Sequence, residues 1–376
     1  AEFPMIRFLE RNGYNVTYFT NIDAARNGSL IDNHKIFMSV GHDEYWSAEQ
    51  RTNVEAARQA GTHLAFFSGN EVYWKTRWEN STDASHTAYR TLVCYKEGTD
   101  GEINCGSKCD PSTTWTGLWK SGCEYPSSDG CKPENALSGQ SSWIGSTAAI
   151  KVPAQYKDLR FWRGTSITSL TGENEVTLPM GTLGYEWDYE QLFDHYPAGR
   201  ITLSSTTVGG KTHKMSLYRH ASGALVFGAG TVQWAWGLDN IHDRGNLPAN
   251  QDMQQATVNL LADMETFPAT LMAGLTPATT STDFTAPTAV ITSLTQGANL
   301  VSGHAVTISG TAAELGGGEL AGVEISLDGG TTWKQVQGTT NWQYSWTPSA
   351  IGTTTIKIRG FDDSGNLGVA SSTPSE

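Results

Sequence analysis

The stretch that decides the fold is FMSVGHDEYWSAEQR, residues 37–51. Its first half is a nearly continuous apolar run, which is typical of a strand that is buried on both faces of a sheet. Ser47 is followed three residues later by Gln50, which is a capping-box pattern for the start of a helix. Gly61 stands where a left-handed helix end is expected. The stretch therefore predicts a strand that leads directly into a helix ending near Gly61.

A second stretch, LAFFSGNEVYWKTRWE at residues 64–79, follows the same design. Its apolar half predicts another strand, and Asn70 is the expected N-cap of a helix over residues 70–78. An earlier segment, residues 15–20, also reads as a strand. Apolar strands that alternate with helices predict an α/β fold with a mostly parallel sheet and helices on both faces.

Composition excludes two classes of partner. The chain has 376 residues and a formal net charge of -13, whereas nucleic-acid binding needs a positive stripe. No apolar run reaches the roughly 18 residues that a membrane-spanning helix needs. We therefore expect no nucleic acid as a partner and no membrane insertion.

The length suggests two or three domains, and the composition changes twice along the chain. Residues 1–268 carry the α/β pattern, and residues 269–284 form a Thr/Pro/Ala linker. Residues 285–376 alternate short strands with turns, as in an immunoglobulin-like (Ig-like) β-sandwich. A module of that kind favours a spacer role or self-association. At the other end, residues 4–12 read as an amphipathic helix without a preceding strand, so we expect the chain to be cut from a longer one.

Five cysteines lie between residues 94 and 131, in an insertion that we place at about 94–140. Their C-x3-C and C-x7-C spacings do not match the tight pairs of a zinc site, although a metal site remains the alternative. The loop is poor in apolar residues, so disulfides are the natural way to stabilise it. This predicts a secreted, extracellular protein in which Cys94 is the unpaired cysteine.

Two tyrosines follow the predicted strands. Tyr45 and Tyr73 come after neighbouring strands, whose carboxyl ends meet at one rim of an open sheet. Phenolate oxygens are hard anionic donors that suit a cation such as ferric iron. A third donor could come from GTLGYEWDYEQ, in which Glu186, Asp188 and Glu190 alternate, and spacing does not choose among them. No Cys or G-x-S-x-G elbow is present, so a Ser or Cys hydrolase has little support.

Four motifs, VGHDEYWS, FFSGNEVYWKTRWE, GTLGYEWD and GAGTVQWAWGLD, resemble the large (beta) subunit of N,N-dimethylformamidase. The resemblance covers about residues 2–265. It implies a glutamine-amidotransferase-like α/β domain that holds one ferric iron (Fe3+) and hydrolyses a formamide C–N bond. It also implies that the iron ligands are Tyr45, Tyr73 and Glu186. An N-terminal β-domain of that family would precede residue 1, and the cysteine insertion and Ig-like tail depart from its pattern.

If the site is of this type, the metal polarises the carbonyl of a small amide and lowers the pKa of a bound water. His42 or Glu44 would accept a proton, and Asn70 would hold the carbonyl oxygen. Two other functions remain open. The chain could be a non-catalytic surface or filament protein that self-associates through its Ig-like domain. It could also be a glycan-binding module that uses Trp234 and Trp236.

Overall fold

The structure, a computed structural model, describes residues 2–97, 109–123, 131–191, 195–243, 245–349 and 351–372. Within these ranges the α-helices are α1 (Phe3–Arg11), α2 (Asn21–Arg26), α3 (Ser29–Asp32), α4 (Ala48–Ala60), α5 (Asn135–Ser138) and α6 (Gln251–Asp263). The strands before the linker are β1 (Ile36–His42), β2 (Tyr45–Ser47), β3 (His63–Gly69), β4 (Trp74–Glu79), β5 (Thr91–Val93), β6 (Ile144–Gly145), β7 (Lys151–Pro153), β8 (Glu175–Thr177), β9 (Glu186–Trp187), β10 (Ile201–Thr202), β11 (Thr206–Val208), β12 (Lys211–His213), β13 (Ser216–Arg219) and β14 (Leu225–Gly228). None of the described helices is long and apolar enough to span a bilayer.

The central sheet has five strands in the order β1-β3-β14-β13-β10. Strand β3 pairs in parallel with β1 and with β14. In the pairing with β1, Ile36 lies opposite His63 at one end and His42 lies opposite Gly69 at the other. Strands β14, β13 and β10 pair antiparallel. The described residues before the linker also form smaller sheets of two or three strands. The first region is therefore sheet-rich and mixed.

The prediction of a mostly parallel, amidotransferase-like α/β sheet is wrong. Only five residues, 220–224, connect β13 to β14. Parallel neighbours need a crossover of a dozen or more residues, so a connection this short makes the two strands an antiparallel hairpin. Among the described residues the central sheet has four strand pairings, and two of them, β14 with β13 and β13 with β10, are antiparallel.

Two predicted elements are also absent. Residues 70–78 form no helix, because the chain turns after β3 and enters strand β4. The segment WKTRWE alternates large or β-branched residues with charged ones, and this period of two suits a strand. Residues 15–20 form no strand and run as an irregular segment. In contrast, helix α4 begins as predicted, with the Ser47 hydroxyl accepting from the Gln50 N–H, and ends at Gly61 in a left-handed conformation.

Alternate residues of β3 enter two separate hydrophobic cores. Ala65 and Phe67 pack with apolar residues of α1, α6 and the β10–β14 region. Leu64 and Phe66 pack with residues of α2, α3 and α4 and with Trp46. Every residue of β3 is buried. This central strand therefore provides a rigid support for the turn that follows it.

The Ig-like part contains strands β15 (Thr288–Ile291), β16 (Val306–Ala313), β17 (Leu320–Ser326), β18 (Lys334–Gln335), β19 (Gln337–Gly338), β20 (Asn341–Trp346), β21 (Lys357–Asp362) and β22 (Ser371–Ser372). They form two four-stranded antiparallel sheets, ordered β15-β16-β20-β19 and β18-β17-β21-β22. Their inner faces share one core that contains Ile308, Ile325 and Trp342. This is the β-sandwich that the alternating pattern predicts.

The cysteine insertion contains disulfides, as predicted. Cys123 and Cys131 are bonded to each other, and Cys109 is also disulfide-bonded. Cys94 is a half-buried free thiol, which confirms that it is the unpaired cysteine. The other cysteine, Cys105, lies outside the described residues.

Candidate functional site

The two tyrosine-bearing segments lie side by side at the ends of β1 and β3. The N–H groups of Tyr73 and Trp74 both donate to the carbonyl oxygen of Glu44, at 3.0 and 2.9 Å. Strand β2 then pairs in parallel with β4, with Tyr45 opposite Trp74. Tyr45 and Tyr73 are therefore carried by adjoining backbone segments of one rim.

A sharp turn after β3 makes this arrangement possible. Asn70 has a φ of 51° and Val72 a φ of 53°. Asn tolerates this left-handed region, whereas a β-branched residue such as Val is an outlier there. Strain of this kind is held only where the surrounding structure enforces it, and it is common at functional sites. Here the turn places Tyr73 beside the segment that carries Tyr45.

His42 lies between two carboxylates at this rim. Its Nε2 atom is 2.5 Å from Oε2 of Glu186 and 3.6 Å from Oε2 of Glu44. The Asn70 side-chain amide donates to the same Glu186 oxygen at 3.2 Å, and the Trp74 indole donates to Oε1 of Glu44 at 2.8 Å. His42, Glu44, Asn70 and Glu186 thus form one hydrogen-bonded group.

The three acidic residues of GTLGYEWDYEQ have different surroundings. Glu186 faces His42 and Asn70, as described above. Asp188 accepts from the Asn70 backbone N–H at 2.8 Å. Glu190 accepts from Arg200 at 2.8 Å and lies 3.5 Å from the Lys214 ammonium. Strand β9 ends at Trp187, so the simple alternation that would place all three on one face does not continue.

Two buried carboxyl groups, those of Glu71 and Asp188, lie at the turn after β3. Burial raises the pKa of Glu71 to about 7 and raises that of Asp188 well above its usual range. Both Glu71 oxygens and Oδ2 of Asp188 lack a donor among the described residues. A proton held between the two carboxyls satisfies Oδ2 of Asp188 and one of the two Glu71 oxygens, since adjacent buried carboxylates cannot both remain ionised. Asp188 holds the Asn70 backbone in the same arrangement.

Each tyrosine has a lysine beside it. The Lys96 ammonium hydrogen-bonds with Tyr45, which raises the pKa of Lys96, and it lies 5.3 Å from the Tyr45 ring centre. The Lys120 ammonium lies 5.3 Å from the ring centre of Tyr73. Burial raises the pKa of Tyr73 to about 12. Each phenol ring therefore has a cationic side chain 5.3 Å from its centre.

Sequence reasoning missed Lys96, Lys120 and Glu71. Lys96 and Lys120 lie within the cysteine insertion, where no spacing marks them as functional. Glu71 lies within the motif FFSGNEVYW, but its role depends on Asp188, which is 117 positions further along the chain. Trp234, in contrast, is fully buried in the core and offers no face to a sugar.

The donor set at the rim fits the metal that the motifs imply. Two phenol oxygens and a carboxylate are hard anionic donors, which match ferric iron better than a soft metal. Elsewhere in the described chain, two groups of His, Cys, Asp or Glu are close enough to hold an ion: Cys123, Cys131 and His195, and Asp283, Glu314 and Asp362. In the first group the two sulfurs are already joined in a disulfide.

Fold and site together define a protein in which a sheet-rich region carries a rim of phenol, histidine and carboxylate groups, followed by an Ig-like sandwich. Residues 1–249 match the family described as N,N-dimethylformamidase beta subunit-like, C-terminal, and the chain belongs to that family. Residues 287–358 match a bacterial Ig domain.

Comparison with individual proteins adds little. No curated protein matches the chain. Among solved structures, the fibronectin(III)-like modules of Clostridium thermocellum CbhA are similar over 48% of this chain and 77% of theirs. The sequence identity is 13% and the TM-score is 0.21.

Proposed function

We propose that the rim site hydrolyses the C–N bond of a small amide, with ferric iron held by Tyr45, Tyr73 and Glu186. The observation that carries the proposal is the pairing of the two tyrosine-bearing segments, with Glu186 joined to the first of them through His42. Bound there, ferric iron would supply Lewis acidity toward an amide carbonyl. The family membership of residues 1–249 supports this type of reaction.

His42 is suited to move the proton that this reaction requires. Hydrolysis adds the oxygen of water to the carbonyl carbon, breaks the C–N bond and transfers a proton to the departing amine. The Nε2 atom of His42 lies 2.5 Å from Oε2 of Glu186 and 3.6 Å from Oε2 of Glu44, and these contacts fix the position of the imidazole at the rim. His42 can therefore take a proton from water and pass it to the amine nitrogen.

Asn70 and the surrounding tryptophans prepare the site for a small polar molecule. The Oδ1 atom of Asn70 is buried without a hydrogen-bond partner among the described residues. A water molecule, or the N–H of a primary or secondary amide, can use this acceptor, because an unpaired buried oxygen is costly. Trp46 and Trp74 are almost fully buried beneath the rim, whereas Tyr45 and Tyr73 are only half-buried. Both tyrosine side chains are therefore partly accessible from solvent.

The location that we propose is extracellular. Disulfides persist in oxidising compartments and are rare in the cytosol. The bond between Cys123 and Cys131 and the disulfide at Cys109 support this assignment. Fractionation of a culture that expresses the natural protein would test it, and recovery in the cytosol with reduced cysteines would contradict it.

Metal analysis and spectroscopy of the purified protein test the proposed centre. We expect about one iron per chain and a visible tyrosinate-to-iron absorption band, together with release of dimethylamine from N,N-dimethylformamide or of an amine from a related small amide. Replacing Tyr45 or Tyr73 with Phe should remove most of the band, and Glu186→Gln should lower iron content. Tyr344→Phe, on strand β20 of the Ig-like sandwich, is the matched control.

The outcomes separate the metal from the reaction. A colourless protein that stays iron-free after reconstitution would overturn the proposed centre. An iron-loaded, coloured protein that hydrolyses no small amide would keep the centre and overturn the proposed substrate class.

A further inference from the structure

The second acidic group in the described chain lies where the linker meets the Ig-like sandwich. Asp283 belongs to the linker, Glu314 follows strand β16, and Asp362 ends strand β21. One carboxylate oxygen from each residue lies within 4.8 Å of the others. Three separate segments of the chain thus bring their carboxylates to a single point.

Two of these carboxylates have an oxygen that is buried and unused. Asp283 is only 8% exposed, and its Oδ2 atom has no hydrogen-bond partner among the described residues. The Oε2 atom of Glu314 is buried and unpartnered in the same way. A buried carboxylate oxygen without a donor is unfavourable, and either a proton or a cation is needed to compensate for it.

The remaining oxygens hold the three carboxylates in place. Oδ1 of Asp283 accepts from the Thr285 N–H at 2.9 Å. Oε1 of Glu314 accepts from the N–H groups of the next two residues, at 2.8 and 2.7 Å. Asp362 is fully buried and accepts from the Asn366 backbone and side chain, both at 2.8 Å. The group is therefore preorganised, with oxygens of Asp283 and Glu314 left over.

The loop that closes over Asp283 has room only for glycine. A Cβ atom on Gly316 would lie 1.8 Å from Oδ1 of Asp283, and one on Gly318 would lie 2.8 Å from Oδ2. The backbone of residues 316–318 thus passes directly against this carboxylate. Such close packing encloses the acidic group and limits its access to water.

We propose that Asp283, Glu314 and Asp362 bind a calcium ion. The donors are all hard oxygens with no nitrogen or sulfur among them, which is the set that calcium prefers. Three carboxylates this close repel one another, and a divalent cation replaces that repulsion with attraction. The bound ion links the linker to both sheets of the sandwich, because β16 and β21 belong to different sheets.

The loop that follows strand β21 contacts residues that precede the Ig-like sandwich. Oδ2 of Asp363 accepts from the Arg160 N–H at 2.7 Å, and the carbonyl oxygen of Ser364 accepts from Arg219. The Ser281 and Ser364 hydroxyls are 2.7 Å apart. Calcium at Asp362 would therefore stiffen the junction between residues 1–268 and the Ig-like sandwich.

Calorimetric titration of the EDTA-treated full chain with calcium chloride tests the proposal. We expect one ion per chain, with binding detectable between about 0.1 and 10 mM calcium, and a higher unfolding temperature in calcium than in EDTA. Asp283→Asn and Glu314→Gln keep the side-chain shape and should weaken binding at least tenfold. Asp32→Asn, at an exposed position outside the group, is the matched control and should bind as the parent does.

Three results would overturn the assignment. The first is a parent protein that neither binds calcium nor gains thermal stability from it. The second is calcium affinity in both Asp283→Asn and Glu314→Gln equal to that of the parent. The third is magnesium binding as tight as calcium binding, since magnesium demands shorter, near-octahedral coordination and gives up its water ligands reluctantly. None of these measurements depends on iron or on amide hydrolysis.

Discussion

At the scale of single residues, the site depends on how closely two backbones approach each other at Gly69. A Cβ atom on Gly69 would lie 2.8 Å from the Val232 nitrogen and 2.9 Å from the Glu186 carbonyl oxygen. The Val232 N–H also donates to that carbonyl at 3.2 Å. The absence of a side chain at Gly69 therefore lets the segment that carries Glu186 pack against the end of β3.

Gly69→Ala should separate these two segments. The added methyl meets backbone atoms that cannot rotate away, so we expect a loss of about 1–3 kcal/mol in the free energy of unfolding. The proposed iron centre should also lose metal, because Glu186 moves. Urea unfolding measures the first effect, and metal analysis of the folded fraction measures the second. Gly145→Ala is the control, because the added Cβ atom would lie 3.9 Å from its nearest neighbour, an atom of Trp143. Equal stability of the two variants would contradict the prediction.

At the scale of elements, the cysteine insertion forms part of the wall around the site. The Lys75 N–H donates to the Gly117 carbonyl at 2.7 Å, and the Trp119 N–H donates to the Tyr73 carbonyl at 3.2 Å. The insertion also supplies Lys120, whose ammonium lies over the Tyr73 ring. The backbone around Tyr73 therefore depends on the insertion as well as on β2.

Removing the disulfide of this insertion should weaken the protein moderately. Cys123 and Cys131 are eight residues apart, and closing so short a loop contributes about 2–3 kcal/mol to the free energy of unfolding. We expect the double variant Cys123→Ser, Cys131→Ser to lose about that amount in urea unfolding. Cys94→Ser removes the free thiol and is the control. A double variant as stable as this control would show that the bridge does not constrain the unfolded chain.

At the scale of the whole molecule, stability depends on two histidines that are buried without charge. Burial lowers the pKa of His63 and of His213 to about 4. Nδ1 of His63 accepts from the Leu225 N–H at 2.8 Å, and a ring nitrogen of His213 bonds to the Ala229 carbonyl at 2.9 Å. His63 and Leu225 lie on neighbouring strands, so protonation of His63 would break a contact within the central sheet.

The two histidines should therefore destabilise the protein as the pH falls below about 6.5, whereas Glu71 and Asp188, whose pKa values burial raises, act in the opposite direction. In the unfolded chain these histidines bind protons near pH 6.5, whereas in the folded chain they do so only near pH 4, so the full contribution is present above pH 6.5. Each should cost about 2–3 kcal/mol of unfolding free energy by pH 4.5. Urea unfolding of the parent and of His213→Gln at pH 7.5 and 4.5 isolates the contribution of His213. Between these pH values the variant should lose about 2–3 kcal/mol less stability than the parent, and an equal change in both proteins would contradict the assignment.

Several features could be predicted from the sequence because they depend on neighbouring residues. The helix start at Ser47, its end at Gly61 and the β-sandwich pattern after residue 285 were all correct. The motifs around Tyr45 and Tyr73 were sufficient to identify the family. The helix predicted after Asn70 was wrong, because partner strands on both sides of WKTRWE outweigh its weak helical signals.

By itself, the sequence determined the local signals of this protein: its caps, its turns, its cysteine spacing and the motifs of its family. Only the tertiary structure decided that the central sheet is mixed, that Lys96 and Lys120 stand beside the two tyrosines, and that Glu186 faces His42 while Asp188 and Glu190 do not. It alone also brought Asp283, Glu314 and Asp362 together. The physical reason is that local signals arise from interactions within a few residues, whereas strand pairing and side-chain partners depend on contacts between segments far apart in the chain.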